Sequence, residues 1–389
     1  MFHVKHHGLR RHIAMFAMVA LLLFAAGCGS VSVPEGWAAP VTAGDFLVVG
    51  NGDGSISGFR RSNPASVAWT FPKEPEKSGW SFFGGAKSER ETYLGLYATP
   101  IVTNVGGRDR VIIATYSGEI IAVDVQTGQR ADGWPQSVNV GGHVVATPAF
   151  DGKRLFVATH SGTVRTVDAT TGELSPAVLL RAAERIWSSP TLDAGTLYVA
   201  DLAKHVRALD AATGQVRWDR TLTGAATGDA TLAGDLLLLP TLDSRLIALD
   251  RRTDGAERWQ FTTDNWLWAQ PLVADGVVYI VSTSGTVYAL DLATGQQRWK
   301  FGGVQSETRA TPVLLAGTLV LATDGGTVFG LDPATGTERW RHQPTEKPRL
   351  LAAPLVMDST IVYTSKLGDI YRVTPKDQGV VERLFQKGS

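Results

Sequence analysis

The chain has 389 residues, and its 37 Lys and Arg residues balance 37 Asp and Glu residues, so the formal net charge is zero. This balance excludes a strongly basic nucleic-acid binder and a protein with an acidic tail. Hydrophobic residues make up 44% and charged residues 19%, the proportions of a globular protein rather than of a disordered chain. A single cysteine excludes a disulfide within the chain and a cysteine-based zinc site.

An export signal is predicted at the N-terminus. Lys5, Arg10 and Arg11 precede an apolar run of 14 residues, 13–26. This run is shorter than the about 20 residues that a membrane-spanning helix needs. A basic start, a short apolar segment and small residues before a cleavage site are typical of a signal that is removed during export. Residues 1–27 are therefore predicted to be a lipoprotein signal peptide.

The signal ends in a sequence that resembles a lipobox. Residues 25–28 read Ala-Ala-Gly-Cys, and Cys28 is the one cysteine of the chain. The resemblance implies that Cys28 carries lipid and begins the mature protein, with 28–36 as a tether. Because Gly29 is not the Asp that retains lipoproteins at the inner membrane, it also implies an outer-membrane anchor facing the periplasm, or the extracytoplasmic face in a host with one membrane. A plain signal peptide with an incidental cysteine is the alternative.

The rest of the chain, 37–389, is one unit repeated eight times. The units open at Pro40, Pro100, Pro148, Pro190, Ala230, Pro271, Pro312 and Pro354. Fourteen residues later, or eighteen in the second unit, comes a tight-turn residue: Gly54, Gly118, Gly162, Lys204, Ser244, Gly285, Gly326 and Gly368. Runs of Val, Ile, Tyr and Thr between Asp-Gly and Ser-Gly turns indicate four short strands per unit. The pattern predicts an all-β fold, an eight-bladed β-propeller of four-stranded antiparallel blades closed into a ring.

A second turn, from an aspartate to a glycine, recurs in six units. The turns are Asp124–Gly128, Asp168–Gly172, Asp210–Gly214, Asp250–Gly255, Asp291–Gly295 and Asp332–Gly336. The carboxylate is interpreted as accepting N–H groups of its own turn, and the glycine as adopting the left-handed conformation. A calcium loop is the alternative, but it would need several alternating acids, which no turn carries.

A tryptophan follows four of these turns, at Trp218, Trp259, Trp299 and Trp340, and Trp69 and Trp134 occupy comparable strands. Burying about 200 Å² of each ring at about 25 cal/mol per Å² contributes roughly 5 kcal/mol before opposing terms, so the tryptophan is interpreted as a packing device. The third and eighth units lack it and have Leu179 and Leu384 nearby. Those two contacts between blades are predicted to be the weaker ones.

The unit Ala289-Leu-Asp291…Gly295…Trp299 resembles the pyrroloquinoline-quinone (PQQ) type propeller repeat, and the resemblance covers about 37–389. One branch, the quinoprotein dehydrogenases, is typically longer and uses a vicinal cysteine pair, a calcium site and a catalytic Asp. This chain has one cysteine and no long insertions of that kind.

The other branch is the BamB family of outer-membrane lipoproteins, which do no chemistry. They bind the POTRA region of the BamA barrel-assembly protein and help it to insert outer-membrane barrels. The resemblance implies a non-catalytic scaffold with a BamA-like or another envelope partner. In that family a Leu-Arg pair before the fourth repeat contributes to the BamA contact, which implies a partner-binding role for Leu180 and Arg181.

One position in each unit is a candidate for recognition. Three residues before each opening residue stand Trp37, Tyr97, Val145, Trp187, Thr227, Trp268, Arg309 and Leu351. Equivalent positions of a propeller are expected around one mouth of the central channel. Five of the eight are aromatic or arginine, the residue types that dominate recognition hot spots, which predicts a stacking or peptide-binding mouth. The alternative is that each ring packs on the connecting loop of its neighbour.

The step from the first unit to the second is 60 residues rather than about 41, because 72–96 is an insertion. It contains four aromatic residues and three lysines: Lys73, Lys77, Trp80, Phe82, Phe83, Lys87 and Tyr93. Long insertions in compact folds are often functional, so this one is a candidate protein contact. The alternative is a loop whose aromatic side chains fold against the propeller wall.

No pattern of catalytic residues is evident. His143, His160, His205 and His342 fall in different units, which argues against a metal cluster, and no phosphate-binding glycine loop is evident. The sequence predicts a protein that is not an enzyme, with no metal or cofactor. A PQQ- or other small-molecule-binding propeller, redox-linked and using the aromatic mouth, is the second hypothesis. An envelope sensor or adhesin with an unrelated partner is the third.

Overall fold

The computed structural model describes residues 36–72, 95–375 and 379–387. The signal segment, Cys28 and most of the insertion, 73–94, lie outside the described residues. In the described part, we find no helix that is long and apolar enough to cross a membrane. That part folds into eight four-stranded antiparallel blades, as the repeats predict.

The strands of the first four blades follow one another along the chain. Blade 1 has β1 (Val41–Ala43), β2 (Phe46–Gly50), β3 (Ile56–Arg60) and β4 (Asn63–Phe71). Blade 2 has β5 (Ile101–Val105), β6 (Arg108–Ala114), β7 (Glu119–Asp124) and β8 (Val138–Asn139). Blade 3 has β9 (Ala149–Phe150), β10 (Arg154–Ala158), β11 (Thr163–Asp168) and β12 (Leu174–Arg181). Blade 4 has β13 (Thr191–Asp193), β14 (Thr196–Ala200), β15 (His205–Asp210) and β16 (Val216–Thr221).

The other four blades repeat this order. Blade 5 has β17 (Thr231–Ala233), β18 (Leu236–Pro240), β19 (Arg245–Asp250) and β20 (Ala256–Thr262). Blade 6 has β21 (Leu272–Ala274), β22 (Val277–Val281), β23 (Val287–Asp291) and β24 (Gln297–Phe301). Blade 7 has β25 (Val313–Leu315), β26 (Thr318–Ala322), β27 (Val328–Leu331) and β28 (Glu338–His342). Blade 8 has β29 (Leu355–Met357), β30 (Thr360–Thr364), β31 (Ile370–Thr374) and β32 (Val380–Phe385).

The predicted tight-turn residue lies between the second and third strands of each blade, and in every blade it has a positive φ. It is a glycine with positive φ in six blades. In blades 4 and 5 the same position is held by Lys204 (φ 70°) and Ser244 (φ 64°). A side chain in this conformation is strained, so the turn geometry is imposed by the strands on either side rather than by the residue itself.

Each pair of neighbouring blades encloses its own hydrophobic core, and eight such cores occur in the described part of the chain. The core that closes the ring joins blade 8 to blade 1. There the rings of Phe59 and Phe385 meet edge to face at 4.8 Å between centroids. The Arg61 guanidinium and the Asp358 carboxylate pair at 2.9 Å between the same two blades. Because every sheet is built from consecutive strands, packing and ion pairs close the ring without strand exchange.

A tryptophan lies in six of these cores: Trp69, Trp134, Trp218, Trp259, Trp299 and Trp340. The prediction that Trp134 occupies a strand is wrong, since it lies in a bend before β8, whereas the other five lie in the fourth strands of their blades. Trp299 shows the arrangement, since its indole N–H donates to the carbonyl of Pro333 in the next blade at 3.0 Å. A Cβ at Gly336 (φ 74°) would lie 2.4 Å from the Trp299 ring. The turn glycine is therefore needed twice, for its backbone conformation and for the close approach of the neighbouring ring.

The aspartate of the same turn acts as the sequence predicts. Asp291 Oδ1 accepts the N–H groups of Ala293 and Thr294 at 3.1 and 3.0 Å. The Arg298 guanidinium donates to Oδ2 at 2.7 Å. These contacts, the one to Arg298 first, hold the pKa of Asp291 below its usual value. The carboxylate is thus used within its own hairpin and not as part of a calcium loop.

Candidate functional site at the mouth of the propeller

One face of the ring carries the crossover loops between blades and the turns between second and third strands; we call it the mouth face. In seven blades a backbone N–H of the turn donates to a carbonyl of the crossover loop at 2.7–3.2 Å. The acceptor always lies two residues before the predicted mouth position, as in His160 N–H to His143 O and Asp324 N–H to Glu307 O. This repeated bond fixes the crossover loops, so the mouth positions have equivalent surroundings.

All eight predicted mouth positions line one central cavity of about 520 Å³, and we call them the mouth ring: Trp37, Tyr97, Val145, Trp187, Thr227, Trp268, Arg309 and Leu351. The expectation that they surround a single mouth is therefore confirmed. The aromatic members are half-buried rather than covered. Each ring leaves part of its surface available to a ligand.

The rings of blades 1 to 4 form a continuous row, the aromatic arc: Trp37, Tyr97, Tyr116, His143, His160 and Trp187. Successive ring centroids are 4.7, 5.5, 4.5, 6.4 and 6.0 Å apart. The Tyr116 and His143 rings are stacked, with an angle of 4° between their planes. Rings that support one another in this way lose little conformational entropy on binding, which suits a rigid contact surface.

His160 is fixed in a neutral form within the arc. The Trp187 indole N–H donates to His160 Nδ1 at 3.1 Å, so that nitrogen is an acceptor and the ring proton is on Nε2. Burial, and then the positive charge of Arg185 and the neighbouring His143, lower the pKa of His160. His160 therefore contributes an uncharged ring to the arc at neutral pH, with Arg185 exposed beside it.

Three residues of the arc were not predicted as site residues. Tyr116 and His160 lie in turns, and His143 lies in a crossover loop. In the sequence, the two histidines fall in different repeat units. The mouth face brings their ring centroids to 6.4 Å. The signal that would have found them is their spacing: His143 lies two residues before a mouth position, and Tyr116 and His160 begin the turns that bond to crossover loops.

The opposite side of the mouth, at blades 6 and 7, is a groove of about 560 Å³. Its wall includes Trp266, which is 55% exposed, and it shares Trp268 and Arg309 with the central cavity. The Arg309 guanidinium pairs with Glu307 at 2.8 Å and also with Asp324. Burial raises the pKa of Asp324, although Arg309 opposes this. This sector thus combines an exposed indole with charges that are already paired.

Below the mouth ring, the residue before each opening residue faces the same cavity; we call these positions the inner belt: Ala39, Thr99, Thr147, Ser189, Asp229, Gln270, Thr311 and Ala353. Backbone N–H groups of the belt donate to the next blade's belt side chain. Thr99 donates to Thr147 at 2.9 Å, Thr147 to Ser189 at 2.9 Å, and Ser189 to Asp229 at 2.8 Å. The belt joins blades 2 to 5 around the axis.

Leu180 and Arg181 are the last two residues of β12, and their side chains differ in exposure. Leu180 is only 8% exposed and packs in the core between blades 3 and 4. Arg181 is exposed. Of the two predicted partner-binding residues, the structure leaves only Arg181 accessible without rearrangement, and the partner role itself stays a prediction.

The cavity does not fit PQQ, whose several carboxylates need cationic partners. Arg309 is the one cationic side chain of the lining, and it is already paired with two carboxylates. The belt adds Asp229, a further negative charge. Within the described residues, no cluster of three or more His, Cys, Asp or Glu could hold a metal ion.

Comparison with known proteins identifies the family of the chain. A family model described as outer membrane protein assembly factor BamB matches residues 30–203, 179–253 and 203–376. The chain belongs to the BamB family. The crystal structure of BamB from Moraxella catarrhalis is 21% identical, with a TM-score of 0.66, and the match covers 86% of this chain and 94% of that one.

A second solved structure shares the fold alone. The computationally designed protein Ika8 is 16% identical, with a TM-score of 0.67, and the match covers 87% of this chain and 96% of that one. Among curated protein sequences, none matches the chain. At these identities the structural matches carry the propeller fold, and membership of the BamB family rests on the family model.

Proposed function

We propose that this BamB-family chain is a non-catalytic scaffold of the cell envelope that assists the assembly of outer-membrane β-barrel proteins. The family match over most of the propeller carries the proposal. The partner would be a BamA-like barrel-assembly protein, bound through its periplasmic POTRA repeats. No nucleic acid is involved in this role.

The mouth face is the surface that we assign to the partner. The aromatic arc offers a row of mutually supported rings in which His160 is neutral, with the exposed Arg185 at its edge. Aromatic and arginine side chains are the residue types that most often contribute binding energy at protein interfaces. Arg181, at the end of β12, is exposed and is retained as a second contact of the same partner.

The location follows as part of the same proposal. Lipid on Cys28 and the tether 28–36 would hold the propeller at the outer membrane, facing the periplasm. A single acyl chain gives weak anchoring, whereas the several chains of a lipoprotein hold it stably. Labelling with a radioactive or alkyne fatty acid tests this step, because Cys28→Ala is expected to abolish the label and release the propeller from membranes.

The test of function is capture of the lipidated protein from gently solubilised native membranes, followed by mass spectrometry. Near-stoichiometric recovery of a barrel protein with POTRA repeats is the expected result. Recovery of the propeller alone, from a host that has such a barrel protein, would overturn the proposal.

A matched pair of variants locates the contact. Trp187→Ala removes one end of the arc, and it is expected to reduce capture at least tenfold. Lys153→Ala is the control. Lys153 is exposed in the β9–β10 turn of blade 3, on the face of the ring opposite the mouth face. Equal capture by both variants, with both correctly folded, would show that the partner does not use the arc.

A further inference from the structure

The central cavity contains one carboxyl group without a positive partner. Asp229 lies in the inner belt, where its Oδ1 accepts the Ser189 N–H at 2.8 Å. Burial raises the pKa of Asp229, hydrogen bonds from Ser189 oppose the rise, and no cation contributes. The charged lining residues are Asp229 and Arg309, and Arg309 is already paired with Glu307 and Asp324.

The belt does not need a carboxylate at this position. Thr147 and Ser189 accept the equivalent N–H from the preceding blade through neutral hydroxyl oxygens. A neutral side chain at position 229 would therefore make the same bond without the cost of burying a charge. A half-buried carboxyl group that lines a cavity without a cationic partner, and that its fold does not require, points to a ligand.

The mouth ring supplies the second half of a binding site. Trp37, Tyr97, Trp187 and Trp268 line the same cavity as Asp229. In each blade the belt residue follows the mouth-ring residue by two positions, so their Cα atoms are at most about 7 Å apart. An organic cation is attracted both by a carboxylate and by the faces of tryptophan and tyrosine rings. A metal ion is a poorer fit, because it needs several charged or oxygen ligands in one shell and the lining has one carboxylate.

We infer that the central cavity is a binding site for an organic ammonium or guanidinium group, with Asp229 as its counter-ion and the aromatic members of the mouth ring around its stem. The group could come from a free polyamine or from a basic side chain of a polypeptide, and a straight alkyl stem spans the depth between the two levels. The site shares Trp37, Tyr97 and Trp187 with the aromatic arc, whereas Asp229 belongs to the cation site alone.

The experiment uses the mature protein and two probes, with binding measured by calorimetry at physiological salt. Spermidine represents the free cation, and the peptide acetyl-Gly-Gly-Lys-Gly-Gly-amide represents the basic side chain. The same peptide with norleucine in place of lysine is the neutral control. Binding of spermidine alone identifies a small-molecule site, and binding of the lysine peptide identifies a site for a polypeptide side chain.

Two variants separate the effect of the Asp229 charge from the effect of the hydrogen bonds of the inner belt. Asp229→Thr introduces the belt residue of blades 2 and 3, so the ring of hydrogen bonds can re-form while the charge is removed. It is expected to weaken cation binding at least tenfold and to leave the melting temperature unchanged or higher. Thr147→Ala breaks a belt bond without changing charge, and it is expected to bind the cation as the unaltered protein does.

Three results would overturn the inference. They are failure of both cations to bind, equal binding to Asp229→Thr, and equal binding of the norleucine peptide. If Asp229→Thr does not fold, Asp229→Asn keeps the shape and an oxygen acceptor, and the same loss of cation binding is expected of it.

Discussion

Blade 4 meets its two neighbours through interfaces of different kinds. Towards blade 5, Trp218 lies in the core with its ring against Gly255 and 5.9 Å from the Tyr198 ring. Towards blade 3, Leu180 and Phe156 lie in the core, and Leu179 packs beside it. The fold is therefore maintained by a shared backbone geometry, while the filling of each interface varies from one blade to the next.

The backbone compensates where the tryptophan is missing. The register between β11 and β12 shifts twice, near Arg165, as the strand approaches Leu179. A Cβ at Gly214 would lie 2.4 Å from the Leu179 carbonyl oxygen, in the place where other turn glycines face an indole ring. Leu179, and Leu384 in the closing core, thus occupy the predicted substitute positions. The relative strength of the two kinds of interface stays a prediction, and substitutions at Trp218, at Leu180 and at the two turn glycines test it.

The largest effect is expected from Trp218→Ala. Removing a buried indole leaves a cavity between blades 4 and 5 and is expected to lower the free energy of unfolding by about 3–5 kcal/mol. Urea unfolding followed by circular dichroism measures it. A loss below about 1 kcal/mol would show that the tryptophan is not the packing device of this interface.

Leu180→Ala is expected to cost less, about 2–4 kcal/mol, because the side chain removed is smaller. The same urea titration applies. A loss larger than that of Trp218→Ala would reverse the predicted order of the two interfaces. Reduced partner capture by this variant would not by itself indicate contact, since Leu180 is buried.

Alanine at the two turn glycines sharpens the comparison. Gly214 and Gly255 have φ of 74° and 73°, so both substitutions are strained. At Gly255 the new Cβ meets the Trp218 ring, which can shift, whereas at Gly214 it meets a backbone carbonyl. We expect losses of about 1–3 kcal/mol, larger for Gly214→Ala. Equal melting temperatures for the two variants would contradict this reasoning.

A smaller effect is expected in acid. The hydrogen bond from Arg217, with N–H groups of its own turn, lowers the pKa of Asp210 to about 2. A folded-state pKa below the unfolded value means that the carboxylate stabilises the fold above about pH 4 and that this contribution disappears as the pH falls towards 2. Asp210→Asn should flatten the dependence of stability on pH between those values. An unchanged slope would remove Asp210 as a contributor.

Arg181→Ala is expected to have the smallest effect on stability, within about 0.5 kcal/mol, because the side chain is exposed. This variant tests the predicted partner contact. Reduced capture of the partner at an unchanged melting temperature would support that contact. Unchanged capture would remove Arg181 from the site.

Much of the site follows from the repeat. The eight mouth positions were found from their spacing to the opening residue, since equivalent residues of repeated blades occupy equivalent places around the axis. Tyr116, His143 and His160 were missed because their row is formed between blades, by turns and loops that are distant in sequence. The burial of Leu180, a predicted partner contact, also depends on a neighbouring blade, since it packs in the core between blades 3 and 4.

The sequence alone determined the number of blades, the turns and the ring of mouth residues, because each depends on a short pattern within one repeat. Lys204 and Ser244 follow from their position in the repeat as tight-turn residues, although neither is the usual glycine. Only the tertiary structure decided which side chains meet across blades, which leucine is buried and that Asp229 lines the cavity without a cationic partner. These properties depend on neighbours brought together by closure of the ring, and a pattern within one repeat carries no information about them.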